Sequence, residues 1–471
     1  ARRATFAALV RNPCRTSPRY RLPIPQLAVA CWVGSLLLSS CAPSGGPPDN
    51  LLIVVVDTLR ADALGAWGSE AGASPHLDAL AAESTIYKRA WAQGTYTQSS
   101  FLSYMTSTWV RTHGWDFAGV NYPKPGVCGW TDLVTLSEVL SNHGFSRSAF
   151  VANASLHPRY GFPRGFERWN DQDLASASRA RLPDGVIDLP DAEVAERGAA
   201  EIALWPRGER HLLYVHFMAP HFPLDPSPEA RARFGLGEPQ AAKPRTPEHA
   251  GLLRKLYLAS VWDADREVGR VLAALDASGL RDTTLVAFFS DHGELLGEHD
   301  AFGHRRGVWE ELAHVPLAIR IPGRGPARVD DRVAGLIDLP PTLLDLLGIP
   351  DRPASWQGEN LGAPSRRAAL FSERFREVAV TSDGSVKAIF SPGRREGTWR
   401  FFDLDSDAGE ASPAPGLTAK PALQREHRRW MGSTPRARRD HDAEPVGSCG
   451  VRHPEEERAL QDALRALGYL Q

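Results

Sequence analysis

The chain has 471 residues, 42% of them hydrophobic and 23% charged, with a formal net charge of -2. That length exceeds one small core and suits a large α/β domain with a small appendage. The near-neutral balance gives no basic excess for a nucleic-acid partner, and no acidic run marks a disordered tail.

Residues 1–40 read as an export signal rather than as part of the fold. Arg2, Arg3, Arg11, Arg15, Arg19 and Arg21 precede an apolar stretch from Leu27 to Leu38. The stretch is short for a membrane span and suits a signal core. It ends in Leu38-Ser39-Ser40-Cys41, which resembles the bacterial lipobox, where the cysteine is lipidated and becomes the first mature residue. An uncleaved signal anchor is the alternative. The expectation is an exported, lipid-anchored protein of the bacterial cell envelope, with residues 41–49 as a tether rich in Gly and Pro. Of the five cysteines, Cys14 and Cys31 fall in the signal, and only Cys128 and Cys449 remain for the folded part. Sequence does not show that these two meet.

Leu51 to Val56 is an unbroken apolar, β-branched run, the pattern of a parallel strand buried on both faces. Pro75–Ser84 and Leu133–His143 have helical spacing, the latter stopped by Gly144. Ser148–Val151, Leu212–Phe217, Thr284–Phe289 and Val315–Ile321 read as strands. Leu252–Ala277 and Pro340–Leu347 read as helices. Strands alternating with helices predict a large, mostly parallel sheet sandwiched by helices over residues 50–365. After residue 366 short strands (Val378–Thr381, Lys387–Phe390, Trp399–Phe402) and a helix from Ala422 to Trp430 predict a small C-terminal antiparallel α+β subdomain, 366–433. Residues 434–471 read as a mobile segment and a terminal helix, Glu455–Leu467. The stretches Asp171–Glu209 and Ser227–Thr246 carry no recognisable pattern and are the expected specificity regions.

Ligands of open parallel sheets sit beyond the carboxyl ends of the strands. Asp57 follows one buried strand, and Asp291 and His292 follow another by way of Ser290. A lone Asp there is most simply a cap. Two carboxylates and an imidazole at two strand ends together suit a divalent metal.

The motifs are more specific. Asn50 to Gly65, Ser74-Pro75-His76-Leu77-Asp78-Ala79-Leu80, Ser290-Asp291-His292-Gly293-Glu294 with Gly297-Glu298-His299, His304–Leu317 and Ile337–Gly348 resemble, in order, the successive blocks of the sulfatase family in the alkaline phosphatase superfamily. Thr398–Asp407 resembles a piece of that family's small C-terminal domain. The resemblance covers residues 50 to about 430. It implies a metal-dependent ester hydrolase acting on a small anionic ester with one divalent ion, Mn²⁺, Zn²⁺, Ca²⁺ or Mg²⁺. The arylsulfatase pattern has two adjacent carboxylates at its first motif and Asp-Asn at its second. Asp57-Thr58 and Asp291-His292 replace them, a softer set that favours Mn²⁺ or Zn²⁺ over Ca²⁺.

The nucleophile region departs from arylsulfatases, whose C/S-x-P-x-R core carries a convertible Cys or Ser. Thr97-Gln98-Ser99-Ser100-Phe101-Leu102-Ser103-Tyr104-Met105-Thr106-Ser107 is more similar to a bacterial "TxPSHxSxxTG" subgroup. Thr97 takes the nucleophile position, with Thr95, Ser99 and Ser100 as the other hydroxyls in reach. Thr cannot become formylglycine, so phosphate or phosphonate esters are favoured over sulfate, through a phospho-threonine. A simpler role for Thr97 is the N-cap of the following helix. Ser99, Phe101 and Ser107 do not fit the subgroup, and Phe101 stands where arylsulfatases have the Arg.

By the same resemblance His221, in a loop similar to the family's "PHxP", binds the substrate oxyanion or protonates the leaving group, a role for a cationic imidazole. His304 stands where relatives grip the anionic group, with Arg305 as a possible substitute. Ser100 and Asn153 are expected to line the substrate pocket, and His216 is expected to be a packed strand residue. A binding protein that kept the fold and lost catalysis, and a phosphoryl-group transferase, are the alternatives.

Overall fold

Uninterrupted apolar sequence becomes a central strand because both its faces must be covered. The computed structural model describes residues 46–116, 132–170, 172–173, 189–237 and 246–436. Cys41 with the rest of residues 1–45, Cys128, Cys449 and the expected terminal helix lie outside the described residues.

Among the described residues the large sheet has nine strands. In chain order they are β1 (Asn50–Val56), β2 (Thr85–Tyr87), β3 (Phe145–Val151), β4 (Arg168–Trp169), β5 (Gln172–Asp173), β6 (Arg210–Phe217), β7 (Thr284–Phe289), β8 (Leu317–Arg320) and β9 (Arg328–Asp330). Their order across the sheet is β9-β2-β8-β7-β1-β6-β3-β4-β5. The inner strands β7, β1, β6 and β3 are parallel, and β8 runs antiparallel to β7. Along β1, Leu51, Ile53 and Val55 enter one hydrophobic cluster and Leu52, Val54 and Val56 the other, so helices cover both faces.

Besides shorter helical turns, the described residues include helices α1 (Pro75–Ala81), α2 (Thr97–Thr106), α3 (Leu136–Ser141), α4 (Asp191–Ala203), α5 (Ala250–Ser278) and α6 (Leu339–Leu346). The start of α3 is later than the apolar pattern implied. Thr135 takes the N-cap, accepting from the Glu138 N–H, while the Glu138 side chain reaches back, a reciprocal box that sets the first turn. Much of the first expected specificity region is scaffold instead: in α4, Val194, Ala195 and Ile202 are buried in the cluster that also holds Val261 and Val268 of α5.

The C-terminal strands β10 (Leu370–Arg374), β11 (Glu377–Ser382), β12 (Val386–Ser391) and β13 (Thr398–Asp403) form an antiparallel sheet in that order, followed by α7 (Lys420–Ser433). This sheet and the large one belong to a single compact unit. A buried charge cluster ties them: Lys387 Nζ lies 2.8 Å from Glu310 and 3.1 Å from Glu410, and Trp91 Nε1 donates to Glu310 at 2.9 Å.

Candidate active site

Strand register assembles the site. Val55 pairs with Phe289 on one side and with His216 on the other. Asp57 and Asp291 each lie two residues further on, so they leave neighbouring strands side by side. The chain then turns at Thr58, a β-branched residue held at φ 53°. Its backbone N–H donates to Asp291 Oδ1 at 3.2 Å, which joins the two strand ends directly. Gly293 follows His292 where a Cβ would lie 2.0 Å from the Glu311 carbonyl oxygen, so the strand-end turn there requires glycine.

Asp57, Asp291 and His292 are all fully buried. Each carboxylate has one oxygen occupied by protein donors. Asp57 Oδ2 accepts from Asn153 Nδ2 and from Thr97 Oγ1 at 3.3 Å, and His216 Nε2 stands 3.1 Å away. Asp291 Oδ1 accepts from the Thr58 and His292 N–H groups. The other oxygens, Asp57 Oδ1 and Asp291 Oδ2, are buried with no hydrogen-bond partner. They lie 3.9 and 3.5 Å from His292 Nε2. The His292 ring is oriented by Nδ1, 2.9 Å from the Gly293 carbonyl, which leaves Nε2 as the basic nitrogen. Two carboxylates, each with an orphaned oxygen, and an imidazole offer ligand atoms within 4.8 Å of one another, which fits a divalent cation. The electrostatics agree: burial and the facing Asp57 charge push Asp291 up to about 6. Burial also works upward on Asp57, but the His216 hydrogen bond and the surrounding imidazoles hold it well below the usual carboxylate range.

Thr97 sits at the start of α2, one residue inside the helix; Tyr96 is the N-cap and makes no side-chain cap bond. Capping is therefore not the work of Thr97. Its Oγ1 lies 3.3 Å from His292 Nε2 and accepts from Asn153 Nδ2 at 3.3 Å. The neighbouring hydroxyls point elsewhere: Thr95 donates to the Gly307 carbonyl and Ser99 to the Tyr96 carbonyl. Ser100 donates to the Asp291 carbonyl at 2.7 Å. It thus staples α2 to the Asp291 strand end, in place of the expected pocket-lining role. Asn153 is fixed through its Oδ1, which accepts from the Ser155 N–H, and its amide nitrogen reaches both Asp57 and Thr97.

His216 corrects the expectation of a merely packed residue. It is fully buried and bridges Asp57 to Tyr214, whose hydroxyl lies 2.8 Å from His216 Nδ1 and 2.8 Å from the Tyr104 hydroxyl. Against the downward effect of burial, Asp57 lifts the His216 pKa. The available signal was a histidine inside the otherwise apolar and aromatic run Leu212–Phe217.

His221 follows β6 in a loop held by Asp191, which accepts from the Met218 and Ala219 N–H groups. Burial pushes the His221 imidazole down to about 4, against the pull of Asp57, so it is neutral in this state rather than the expected cation. Its ring centroid lies 5.0 Å from that of His304, which in turn lies 4.4 Å from that of His292. His304 Nδ1 is 2.9 Å from Glu294 Oε1, a fully buried carboxylate that brings a further residue to the crevice. Arg305 is exposed, and its carbonyl accepts from Arg374 Nε at 3.3 Å.

Phe101 and Ser107, the departures from the motif, are structural. The Phe101 ring is buried among Tyr104, Phe162, Trp169 and Tyr214, one layer behind His216. Ser107 ends α2 at φ 51°, where the similar subgroup has glycine, and its hydroxyl donates to the Ile337 carbonyl.

Comparison with known proteins bears on the fold and the family. A human protein, iduronate 2-sulfatase of Homo sapiens, is 26% identical over 361 residues, spanning 62% of this chain but less than two-thirds (64%) of that protein. A solved protein in complex with its substrate D-glucosamine-2-N,6-O-disulfate superposes with a TM-score of 0.63 at 16% identity, covering 82% of this chain and 97% of its own. The phosphonate monoester hydrolase of Agrobacterium radiobacter superposes at 0.60 with 18% identity, covering 82% and 95%. These two likenesses establish the fold, that of the alkaline phosphatase and sulfatase proteins. The profile described as Sulfatase matches residues 49–349, well over half the chain and every strand-end residue named above, and so the chain belongs to the sulfatase family.

Proposed function

We propose that the chain is a metal-dependent hydrolase of phosphate or phosphonate esters, with sulfate esters second, using Thr97 as nucleophile. The observation that carries this is the position of Thr97 Oγ1, 3.3 Å from both Asp57 Oδ2 and His292 Nε2. Asp57, Asp291 and His292 would hold the ion. When bound, a divalent cation makes a neighbouring hydroxyl easier to deprotonate and offsets charge on the attacked ester.

The chain's own residues account for the rest. Asn153 donates to Thr97 Oγ1 and to Asp57, which fixes the hydroxyl's direction of attack. Oγ1 gives up its proton and forms a bond to phosphorus while the bond from phosphorus to the leaving oxygen breaks, and the departing alkoxide takes up a proton and leaves as an alcohol. Water then attacks the phospho-threonine, the bond from phosphorus to Oγ1 breaks, phosphate or phosphonate is released, and Oγ1 regains its proton from the attacking water. His221 and His304, beside His292, supply polar contacts to the departing oxygen. The buried setting strengthens each of these interactions relative to water.

Support for phosphorus over sulfur is the unconvertible Thr97 together with the Asp291-His292 pair. The packing of Phe101 removes the argument that catalysis was lost there. Among the described residues no helix is long and apolar enough to cross a membrane. The reading includes export to a bacterial cell envelope and a lipid anchor at Cys41, supported by the basic, apolar and small-residue order of residues 1–41.

The test is an ester panel: p-nitrophenyl phosphate, bis-p-nitrophenyl phosphate, phenylphosphonate esters and p-nitrophenyl sulfate, given to the metal-stripped protein with Mn²⁺, Zn²⁺, Ca²⁺ or Mg²⁺ restored in turn. Metal-dependent turnover of a phosphorus ester is expected. Turnover of the sulfate ester alone, or of nothing by folded protein, overturns the reading.

A further inference from the structure

We propose that Tyr104 and Tyr214 are positioning residues for the reaction: their paired hydroxyls keep Nδ1 of His216 a hydrogen-bond acceptor and so fix its Nε2–H on Asp57. The effect on the ion rests on the metal set proposed above, whereas the proton arrangement rests on geometry alone.

A chain of contacts runs from the nucleophile helix to β6 and back. Tyr214 and His216 are two residues apart on β6 and share one face of the strand. Thr97 and Tyr104 are seven apart on α2, about two turns, and share one face of the helix. At one end Thr97 Oγ1 donates to Asp57 Oδ2 at 3.3 Å, and His216 Nε2 lies 3.1 Å from the same oxygen. At the other end the Tyr214 hydroxyl lies 2.8 Å from His216 Nδ1 and 2.8 Å from the Tyr104 hydroxyl. The chain therefore starts and finishes on α2.

Counting protons fixes its direction. A phenol has one proton to donate, and each contact uses one. Two contacts join Tyr104, Tyr214 and Nδ1. If Nδ1 is bare, the Tyr214 O–H donates to it, the Tyr104 O–H donates to Tyr214, and every proton is used. If Nδ1 carries a proton, three protons meet two contacts. Among the described residues neither hydroxyl has another partner, and both residues are buried, so the third proton would lack an acceptor. A buried donor left unsatisfied is costly. The satisfied order runs from Tyr104 to Tyr214 to Nδ1. The imidazole proton then stands on Nε2, directed at Asp57 Oδ2. That occupies Oδ2 and leaves Oδ1, which has no hydrogen-bond partner, for the ion.

Packing does not call for the hydroxyls. The Tyr214 ring stacks on Trp169 with centroids 6.4 Å apart, and the Tyr104 ring meets Phe289 edge-on at 4.9 Å. Two phenylalanines would fill this aromatic layer without burying polar groups. What the hydroxyls add is the hold on His216, and through it on Asp57.

The experiment pairs a nitrogen spectrum with metal affinity. Proton–nitrogen correlation spectra of the full chain carrying isotope-labelled histidine are taken with and without Zn²⁺, and the lines lost in His216→Gln identify His216. Wild type is expected to show a bare Nδ1 and a protonated Nε2. The Nδ1 line should move in Tyr214→Phe, which keeps the ring, and by less in Tyr104→Phe, which keeps the test open should the first variant not fold. Chelator competition should show Zn²⁺ binding weakened roughly tenfold in Tyr214→Phe, within the usual outer-shell range. In a His216→Gln background Tyr214→Phe should have no further effect. A protonated Nδ1 in wild type overturns the proposal without any variant. So does an Nδ1 line that stays in place in the tyrosine variants. Losses from Tyr214→Phe and His216→Gln that multiply, or Zn²⁺ affinity kept in Tyr214→Phe but lost in Asp57→Asn, overturn it too. If Asp57→Asn leaves Zn²⁺ affinity unchanged, the metal set of the proposed function falls instead, and the Nδ1 line alone decides this proposal.

Discussion

Thr97 Oγ1 lies 3.3 Å from His292 Nε2 although 195 positions separate the two residues in the chain. One stands in the first turn of α2 and the other beyond β7, and Ser100 ties these elements through the Asp291 carbonyl. The hydroxyl is thereby placed against the candidate metal ligands by backbone that is itself held.

Replacing that hydroxyl should abolish turnover and spare the metal. Thr97→Ala is expected to lower kcat by at least about a thousandfold, as nucleophile deletions do. Metal content should not change, because Asp57, Asp291 and His292 remain. Thr97→Ser should keep part of the activity. Steady-state rates alongside metal analysis check both, and full activity in Thr97→Ala would assign the nucleophile elsewhere.

Metal removal should cost more stability in wild type than in Asp291→Asn. A ligand that binds only the folded chain stabilises it by about 2.7 kcal/mol at a hundred times its Kd. Without metal, Asp57 and Asp291 face each other with one oxygen apiece unsatisfied. Asp291→Asn removes that repulsion and a ligand together. Its metal-free melting temperature should equal or exceed wild type's, and added Zn²⁺ or Mn²⁺ should raise it less. Thermal melts with and without chelator measure this.

His216 acts through Asp57 and is a positioning residue. His216→Ala should weaken metal binding by roughly ten- to a hundredfold, the usual size of an outer-shell loss. Much of kcat should return at saturating metal. A chelator competition titration, with rates taken at several metal concentrations, separates this from a general packing defect, which extra metal would not repair.

Restoring the motif arginine should harm the protein. Phe101 is fully buried among four aromatic rings. Phe101→Ala is expected to cost about 3–5 kcal/mol. Phe101→Arg should cost at least as much, because it buries an unpaired charge. Urea unfolding midpoints and the yield of folded protein test this; a stable, more active Phe101→Arg would mean that position 101 does face the substrate.

Glu373 should make stability fall with rising pH. Burial, with the charge of Asp116 adding to it, pushes its carboxyl up to about 8 from an ordinary 4.5. Between those values the folded chain holds a proton that the unfolded chain has released. Its contribution is complete below the unfolded value and is lost as pH rises through the folded one. Glu373→Gln keeps an acceptor for the Arg111 N–H and removes the titration. Its melting temperature should fall less than wild type's between about pH 5 and pH 8.

The sequence by itself determined the layered fold and one half of the site. Apolar runs such as Leu51–Val56 and Thr284–Phe289 can satisfy both backbone and side chains only as inner strands, and Asp57, Asp291 and His292 follow at their ends. The resemblance to the sulfatase family pointed to Thr97, Asn153, His221 and His304. What the remaining residues do is decided in three dimensions. His216 reads as one more strand residue until register sets it opposite Val55, beside Asp57. Phe101 reads as a lost charge until its ring is found in an aromatic core, and Ser100 as a pocket hydroxyl until it is found bonded to the Asp291 carbonyl. Glu294 becomes part of a site only when a hairpin brings His304 back to it. Periodicity reports which face a side chain takes on its own element. The partner it meets across the sheet, or at the far end of a loop, is set by register and packing, which no single segment encodes.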